Sequence, residues 1–394
     1  MASIGRTRTR GGSTVTDQIG KFVNQTPYSY SESPFNFTHT LSSEVTEDEV
    51  HTNYPFEGGP FSSRKATVTY NDFVGKAGSY RENYRGIYQT IYDGLYRMPS
   101  PANPTLPLSN VAECESYGAQ AWSRFKPAKP DVSLSIAIAE LKDVPSLMFK
   151  RLNKFRNYGN NYLAVEFGWK PFLSDIRRWL NSIKEVDRRV AQLSRDNGRR
   201  IRRGGKLFSN EETNTAVETI VRFQPSNYCQ FISGSLSTTT KSSCWFKGSF
   251  RYYIPGLNSG KWGKFKAIRH IWDLEIGPEQ VYELIPYSWL VDWFSNLGDV
   301  VGNYASSFED NLVADYAYVM LHNVQSLTRT NVFNRIWTEN NVSSFLKTTV
   351  SSTLDSDTKS RVAANPFGFS WDFSGITARQ AAILAALGIS RLKF

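Results

Sequence analysis

Apolar residues at helical spacing constrain this chain more than any other feature. From Phe172 they recur as Phe172, Ile176, Trp179, Ile183, Val186, Val190 and Leu193, at separations of 4, 3, 4, 3, 4 and 3. A seam that narrow, held for about three heptads, predicts a helix packed along a second helix at a shallow angle. The segment VYELIPYSWLVDWFSNLGDVVGNY, Val281 to Tyr304, supplies a partner. Pro286 suits the first turn of a helix, where its missing N–H is not needed. Onward from it, Leu290, Trp293, Leu297, Val300, Val301, Tyr304 and Phe308 fall on one side. Ser288, Asp292, Ser295, Asp299 and Asn303 form a polar stripe on the other. Glu283, Asp292 and Asp299 interrupt the segment, so a membrane span is not expected there or elsewhere. Leu134, Ile138, Leu141 and Met148 mark a third helix, broken near Pro145. The closing TARQAAILAALGISRLKF marks a fourth, ended near Gly388.

Other stretches alternate with period 2. In SCWFKGSFRYYIP, Cys244, Phe246, Phe250 and Tyr252 share one face against Lys247, Ser249 and Arg251. KATVTYNDF, TNTAVETIVRF, ADYAYVMLHNVQSL, NVFNRIWTEN and SSFLKTTVSST continue in that style. Tyrosines at 80, 84, 88, 92 and 96 fit one strand face better than a helix stripe. The expected fold class is α+β: an elongated, discontinuously built chain with a helical bundle beside a twisted, mostly antiparallel β-sheet region. The β region takes residues 1–130, 205–255 and 312–370, and the bundle 131–204, 265–310 and 371–394.

Catalytic signatures are scarce. The four histidines are dispersed, and no metal-ligand spacing, Walker A loop or dinucleotide fingerprint occurs. No cofactor, metal, small-molecule substrate or enzymatic activity is expected. Cys114, Cys229 and Cys244 form no disulfide framework, which fits synthesis in a reducing cytosol. Cys229 and Cys244 read as strand packing across a hairpin near Leu236. No secretory leader is read at the N-terminus. The formal charge of +10 favours a polyanionic partner.

The cations cluster. SRDNGRRIRRGGK carries Arg195, Arg199, Arg200, Arg202, Arg203 and Lys206 as an exposed loop after the seam helix. That helix adds Arg177, Arg178, Lys184, Arg188 and Arg189 off its apolar side. GKWGKFKAIRHIW interleaves Lys261, Lys264, Lys266 and Arg269 with Trp262, Phe265 and Trp272. Arg379, Arg391 and Lys393 lie in the C-terminal helix. Guanidinium forks suit phosphates and aromatic rings suit unpaired bases, so these residues are the expected RNA contacts. Arg6, Arg8 and Arg10 read either as a flexible arm with the same use or as a solvated tail.

Two motifs, VEFGWKPFLSDI (Val165 to Ile176) and IPYSWLVDWFSNLG (Ile285 to Gly298), together resemble the maturation (A) proteins of single-stranded RNA bacteriophages of the levivirus group. A helix of the SLSIAIAELK type before the first motif, and NPFGFSWDF before the last helix, follow the same order. The resemblance covers most of the chain from Pro130 on and none of residues 1–130. It implies a single-copy virion protein, made in the host bacterial cytoplasm, that takes the place of a coat-protein dimer. It further implies that the bundle holds genomic RNA, including the region near its 3′ end, while the β region attaches to a host pilus and the protein enters with the RNA. For Phe167, Gly168, Trp169, Pro171, Asp175, Pro286, Asp292 and Trp293 it implies packing roles, and it implies no catalytic residues. Tyr80, Tyr84, Arg85, Tyr88 and Tyr92 are the candidate pilus contacts, tyrosine being favoured at interfaces. The competing readings are a cellular RNA-binding or RNA-processing protein and a purely structural capsid component.

Overall fold

A computed structural model describes residues 4–50, 59–127, 188–256, 267–269, 292, 295–309 and 311–368. The expected bundle-plus-sheet class does not hold. Among the described residues 65% are strand and 14% helical, in one large mixed sheet with few short helices. The helices marked by Phe172 to Val186, Leu134 to Met148 and the C-terminal eighteen residues lie outside the described residues.

Eleven strands form the sheet: β1 Ile4–Gly11, β2 Thr14–Thr26, β3 Ser29–Thr40, β4 Ser43–Val50, β5 Phe61–Asn71, β6 Phe73–Asn83, β7 Gly86–Tyr96, β8 Ile201–Glu218, β9 Cys229–Arg251, β10 Val313–Glu339 and β11 Val342–Ala363. Their order is β1-β4-β5-β11-β10-β6-β7-β2-β3, with β9 joined to β10 and β8 joined to β9. Strands β1 and β4, β4 and β5, β5 and β11, β2 and β3, β2 and β7, and β6 and β7 pair antiparallel, whereas β10 and β6 run parallel over Trp337 to Glu339. Among the described residues, helices include α1 Val111–Ser116, α2 Gly118–Phe125 and α3 Leu297–Glu309.

By chain contacts the molecule divides into two compact units. The first holds residues 1–114, 206–245 and 319–362. Its core gathers Ala77, Tyr92, Tyr96, Met98, Phe223, Phe333 and Val350, all nearly or wholly excluded from solvent. Phe22 and Phe35 pack on Tyr92, and Phe223 stacks on Phe333 at 3.8 Å between centroids. The Tyr92 hydroxyl donates to the Leu95 carbonyl at 2.7 Å, so the buried phenol keeps a partner. The tyrosine run expected as one strand face is a hairpin: β6 ends at Asn83 and β7 starts at Gly86, with the turn at Tyr84 and Arg85.

The second unit holds residues 115–205, 246–318 and 363–394. Phe246, Phe250 and Tyr252 are buried in it, on the face that the alternation of β9 assigns to them. Phe125 of α2 stacks on Phe246 and Trp122 meets Phe250 edge-on. Helix α3 is shorter than its periodicity predicts. It begins at Leu297, and the Asp292 carboxylate accepts from the Gly298 N–H at 3.0 Å. That carboxylate therefore satisfies an orphan amide at the positive end of the helix instead of extending a solvated stripe. Asn303, also assigned to the stripe, is fully buried and donates to the Ala119 and Pro366 carbonyls. Tyr304, assigned to the apolar face, is half exposed.

Cys229 and Cys244 both belong to β9, so no hairpin separates them. Fifteen residues of extended chain hold them roughly 50 Å apart along the strand. Burial pushes the thiols of Cys114 and Cys244 up to about 12, and that of Cys229 up to about 11.

Two tests follow from this core. Tyr92→Ala should lower the unfolding free energy by about 3–5 kcal/mol in urea titration, and Tyr92→Phe by about 1 kcal/mol. The folded chain keeps its thiol protons where an unfolded chain loses them, so this contribution is intact below about pH 8.5 and declines as pH rises toward 12. Iodoacetamide at pH 8.5 should accordingly label Cys114 and Cys244 only after denaturant is added, as read by mass spectrometry.

Candidate functional site: a cationic strand start and a cleft at the hairpin tips

The cationic candidate is built where β8 begins. Residues 188–196 are helical and end on Gly198, whose φ of +74° lies in the left-handed region. The Asn197 N–H bonds back to the Leu193 carbonyl at 3.0 Å, and Gly198 N–H to the Tyr252 carbonyl at 2.8 Å. The Tyr252 hydroxyl donates to the Leu193 carbonyl, and the Asn197 side chain grips both the N–H and the C=O of Ile254. The helix end is thus fastened to the segment after β9, which fixes the start of Arg199 to Gly205. A close approach completes the fit: a Cβ on Gly204 would sit 2.7 Å from the Phe246 carbonyl oxygen.

The expected exposed loop is therefore a strand. Arg199 precedes it, and Arg202, Arg203 and Lys206 lie exposed along β8. The reason is that the start of β8, paired only with β9 among the described strands, is a run of arginines and glycines that shows no alternation to read.

The arginines divide by their partners. Arg200 Nε lies 2.9 Å from Asp315 Oδ2, and Arg251 Nε lies 3.1 Å from Asp315 Oδ1. Ser249 Oγ donates to the same carboxylate, and the Arg200 guanidinium sits over the Tyr316 ring. One carboxylate thus fixes two guanidiniums and neutralises only one. Arg195 pairs with Asp196 at 2.9 Å. Arg199, Arg202, Arg203 and Lys247 are exposed and have no ion-pair partner among the described residues. The surface can accept anions without first giving up a carboxylate. Asp315 and Lys247 were not among the expected contacts, although the polar face of SCWFKGSFRYYIP carried Lys247, Ser249 and Arg251.

Other expected contacts lie elsewhere. Arg188 is exposed and Arg189 half-buried on the 188–196 helix, with Arg189 Nη1 donating to Gln192 at 3.1 Å. Arg269 is half-buried in the helical turn 267–269. Arg177, Arg178, Lys184, Lys261, Lys264, Lys266, Arg379, Arg391 and Lys393 fall outside the described residues. Arg6, Arg8 and Arg10 form no flexible arm. They lie in β1, paired against the acidic strand β4, and Arg6 Nε donates to Asp48 at 3.0 Å.

The second candidate lies in the first unit, where three hairpin turns meet. Pro27 and Tyr28 join β2 to β3, Tyr84 and Arg85 join β6 to β7, and Asn340 and Asn341 join β10 to β11. Both asparagines have positive φ, 46° and 70°, as a two-residue hairpin loop of that hand requires. Asn340 N–H donates to the Tyr80 carbonyl, and the Glu82 N–H to Asn340 Oδ1. Gln89 donates to Gln25 across β7 and β2 at 2.6 Å. These bonds enclose a cleft of about 630 Å³ whose walls include Tyr80, Tyr84, Arg85 and Tyr88. Four of the five expected attachment residues thus come together. Tyr92 does not join them, because it is fully buried in the core. Sequence inspection also missed Tyr28, 93% exposed at its turn, and the Asn340–Asn341 loop.

No family model matches this sequence, and no curated protein matches it.

Asp315→Asn should release the two arginines and cost about 1–2 kcal/mol in urea titration, a value kept low by the exposure of Arg251. Arg202→Ala and Arg203→Ala should each stay within about 0.5 kcal/mol of the parent, since neither holds the fold together.

Proposed function

We propose that the chain is a virion protein that binds genomic RNA and attaches the particle to its host, with the cationic start of β8 as an RNA-contacting surface. One observation carries the RNA part: Arg199, Arg202, Arg203 and Lys247 are exposed with no carboxylate partner among the described residues, on the same stretch of β8 and β9 that carries two guanidiniums fixed on Asp315. Such a surface positions phosphates and reads shape more than sequence, because these cations stand exposed along strands. The resemblance of VEFGWKPFLSDI and IPYSWLVDWFSNLG to the phage maturation proteins supports the virion part. On that reading a single copy replaces a coat-protein dimer, contacts a host pilus and enters with the RNA. The exposed aromatic turns of the first unit are the surfaces offered for attachment.

The test uses the full chain and an RNA copying the 3′ segment of its genome. Arg199→Ala, Arg202→Ala and Arg203→Ala combined should weaken binding at least tenfold at physiological salt. The slope of log affinity against log salt should shrink by about 2, three single-strand phosphate contacts being lost. Arg200 stays in place, because its removal would also unpair Asp315. Unchanged affinity and slope would remove β8 from the RNA surface.

A further inference from the structure

We infer that the cleft at the hairpin tips is a saccharide site, and that it takes an oligosaccharide bearing a carboxylate. The inference rests on the attachment reading above and names the class of host molecule it would meet.

The lining carries the argument. Every residue of the cleft wall has a hydrogen-bonding side chain, and none is a carboxylate or an aliphatic. Gln25, Gln89, Asn83 and Asn341 supply carboxamides, each able to donate and accept at once. Thr26, Ser79, Thr90 and Thr338 supply hydroxyls. Tyr80, Tyr84 and Tyr88 supply rings, the Tyr80 hydroxyl already donating to Glu82 at 3.0 Å. The cleft has no aliphatic wall against which an apolar anchor could be buried. A ligand dense in hydroxyls finds partners at every wall, while the C–H face of a pyranose can rest on a phenol ring. The Tyr84 ring is 90% exposed and is held at its turn by the Arg85 guanidinium, 5.3 Å from its centroid.

Charge narrows the class. Arg81 and Arg85 both line the cleft, and neither has an ion-pair partner among the described residues, so the wall carries two uncompensated cations. A carboxylate can take a guanidinium fork in bidentate fashion. Nucleic acid would use the same rings and cations. The surroundings oppose it: Glu82 and Glu339 flank the cleft without lining it, and Glu32 stands on β3 three residues beyond the Ser29 end of the turn. A phosphodiester chain running past the cleft would meet these carboxylates, whereas a short acidic glycan stays inside. The volume of about 630 Å³ suits two or three sugar rings, in the usual range for ligand clefts.

The experiment titrates the full chain with 3′-sialyllactose and a hyaluronan tetrasaccharide, using lactose as the neutral control and a ten-nucleotide single-stranded RNA as the competing class. Saturation-transfer NMR reports contact and calorimetry reports affinity. At least one acidic saccharide should bind at least tenfold tighter than lactose. Tyr84→Ala and the pair Arg81→Ala with Arg85→Ala should each weaken it at least tenfold, and Tyr84→Phe should retain it. Arg202→Ala with Arg203→Ala should leave it unchanged. Absence of acidic-saccharide binding, insensitivity to the tip variants, or tighter binding of the RNA at the tip would each overturn the inference. Adsorption of particles carrying the same variants separates the two readings. Lost adsorption without saccharide binding keeps attachment at the tip and removes the saccharide; adsorption unchanged by every tip variant removes attachment from the tip.

Discussion

Backbone pairing along β10 is the constraint on which the sheet depends. At 27 residues, β10 is long enough to hold β11 along one edge while β6 and β9 both pair with it. Remove that strand and β5, β4 and β1 part from β6, β7, β2 and β3, while β9 and β8 lose their link to both sets. The two-residue Asn340–Asn341 loop then sets the register of β10 against β11, because a one-residue slip would turn every buried side chain outward. The alternation of buried positions at Val319, Leu321, Phe333 and Arg335 on β10 and at Val350, Ser352, Leu354 on β11 shows what such a slip would cost. The short parallel bridge from Trp337 to Glu339 onto Gly78 to Tyr80 depends on that same register.

Net charge says little about where a polyanion binds until the paired cations are removed from the sum. Arg97 is bound to Asp72 and lies over the Phe37 and Tyr70 rings. Arg329 is held by Glu218, and the buried Arg335 donates to Thr348 and to the Lys76 carbonyl over the Phe73 ring. These arginines serve the sheet, and their guanidiniums would have to leave good partners to meet a phosphate. On β1, Arg6 is similarly held by Asp48 of β4. What remains near Asp315 is a smaller excess, and it is more useful because its geometry is fixed in advance.

Legibility in the sequence followed the strength of the pattern. The face of β9 carrying Cys244, Phe246, Phe250 and Tyr252 could be read, because its apolar alternation coincides with burial, although Ser249 on the other face is buried too, against Arg200 and Asp315. The start of β8 could not, since its run of arginines and glycines from Ile201 to Lys206 has no apolar period, whereas its far end from Thr213 does alternate. Periodicity also overran the break before α3. Nothing in a 3.6-residue count distinguishes Asp292 continuing a polar stripe from Asp292 turning back to hold Gly298 N–H. Asn303 was misplaced for a related reason, because a buried amide satisfied by the Ala119 and Pro366 carbonyls looks polar in sequence and behaves as core.

The tyrosines make the same point within one hairpin. Tyr84 and Tyr92 are the same residue eight positions apart, in a series whose spacing suggested a shared face. The turn at Tyr84–Arg85 reverses the chain between them, so one ring stands in solvent and the other fills the core. Tyr80 pairs with Gln89 and Arg81 with Tyr88, so Tyr80 and Tyr88 project from alternate faces of the hairpin while both border the cleft at its tip. The core tyrosine then has a role toward the tip, since Phe22, Phe35 and Tyr96 around Tyr92 lock β2, β3 and β7 together. Rigid packing at one end of a hairpin is what lets its exposed turn present side chains at fixed separations, and a binding surface gains affinity from that fixity before any ligand arrives.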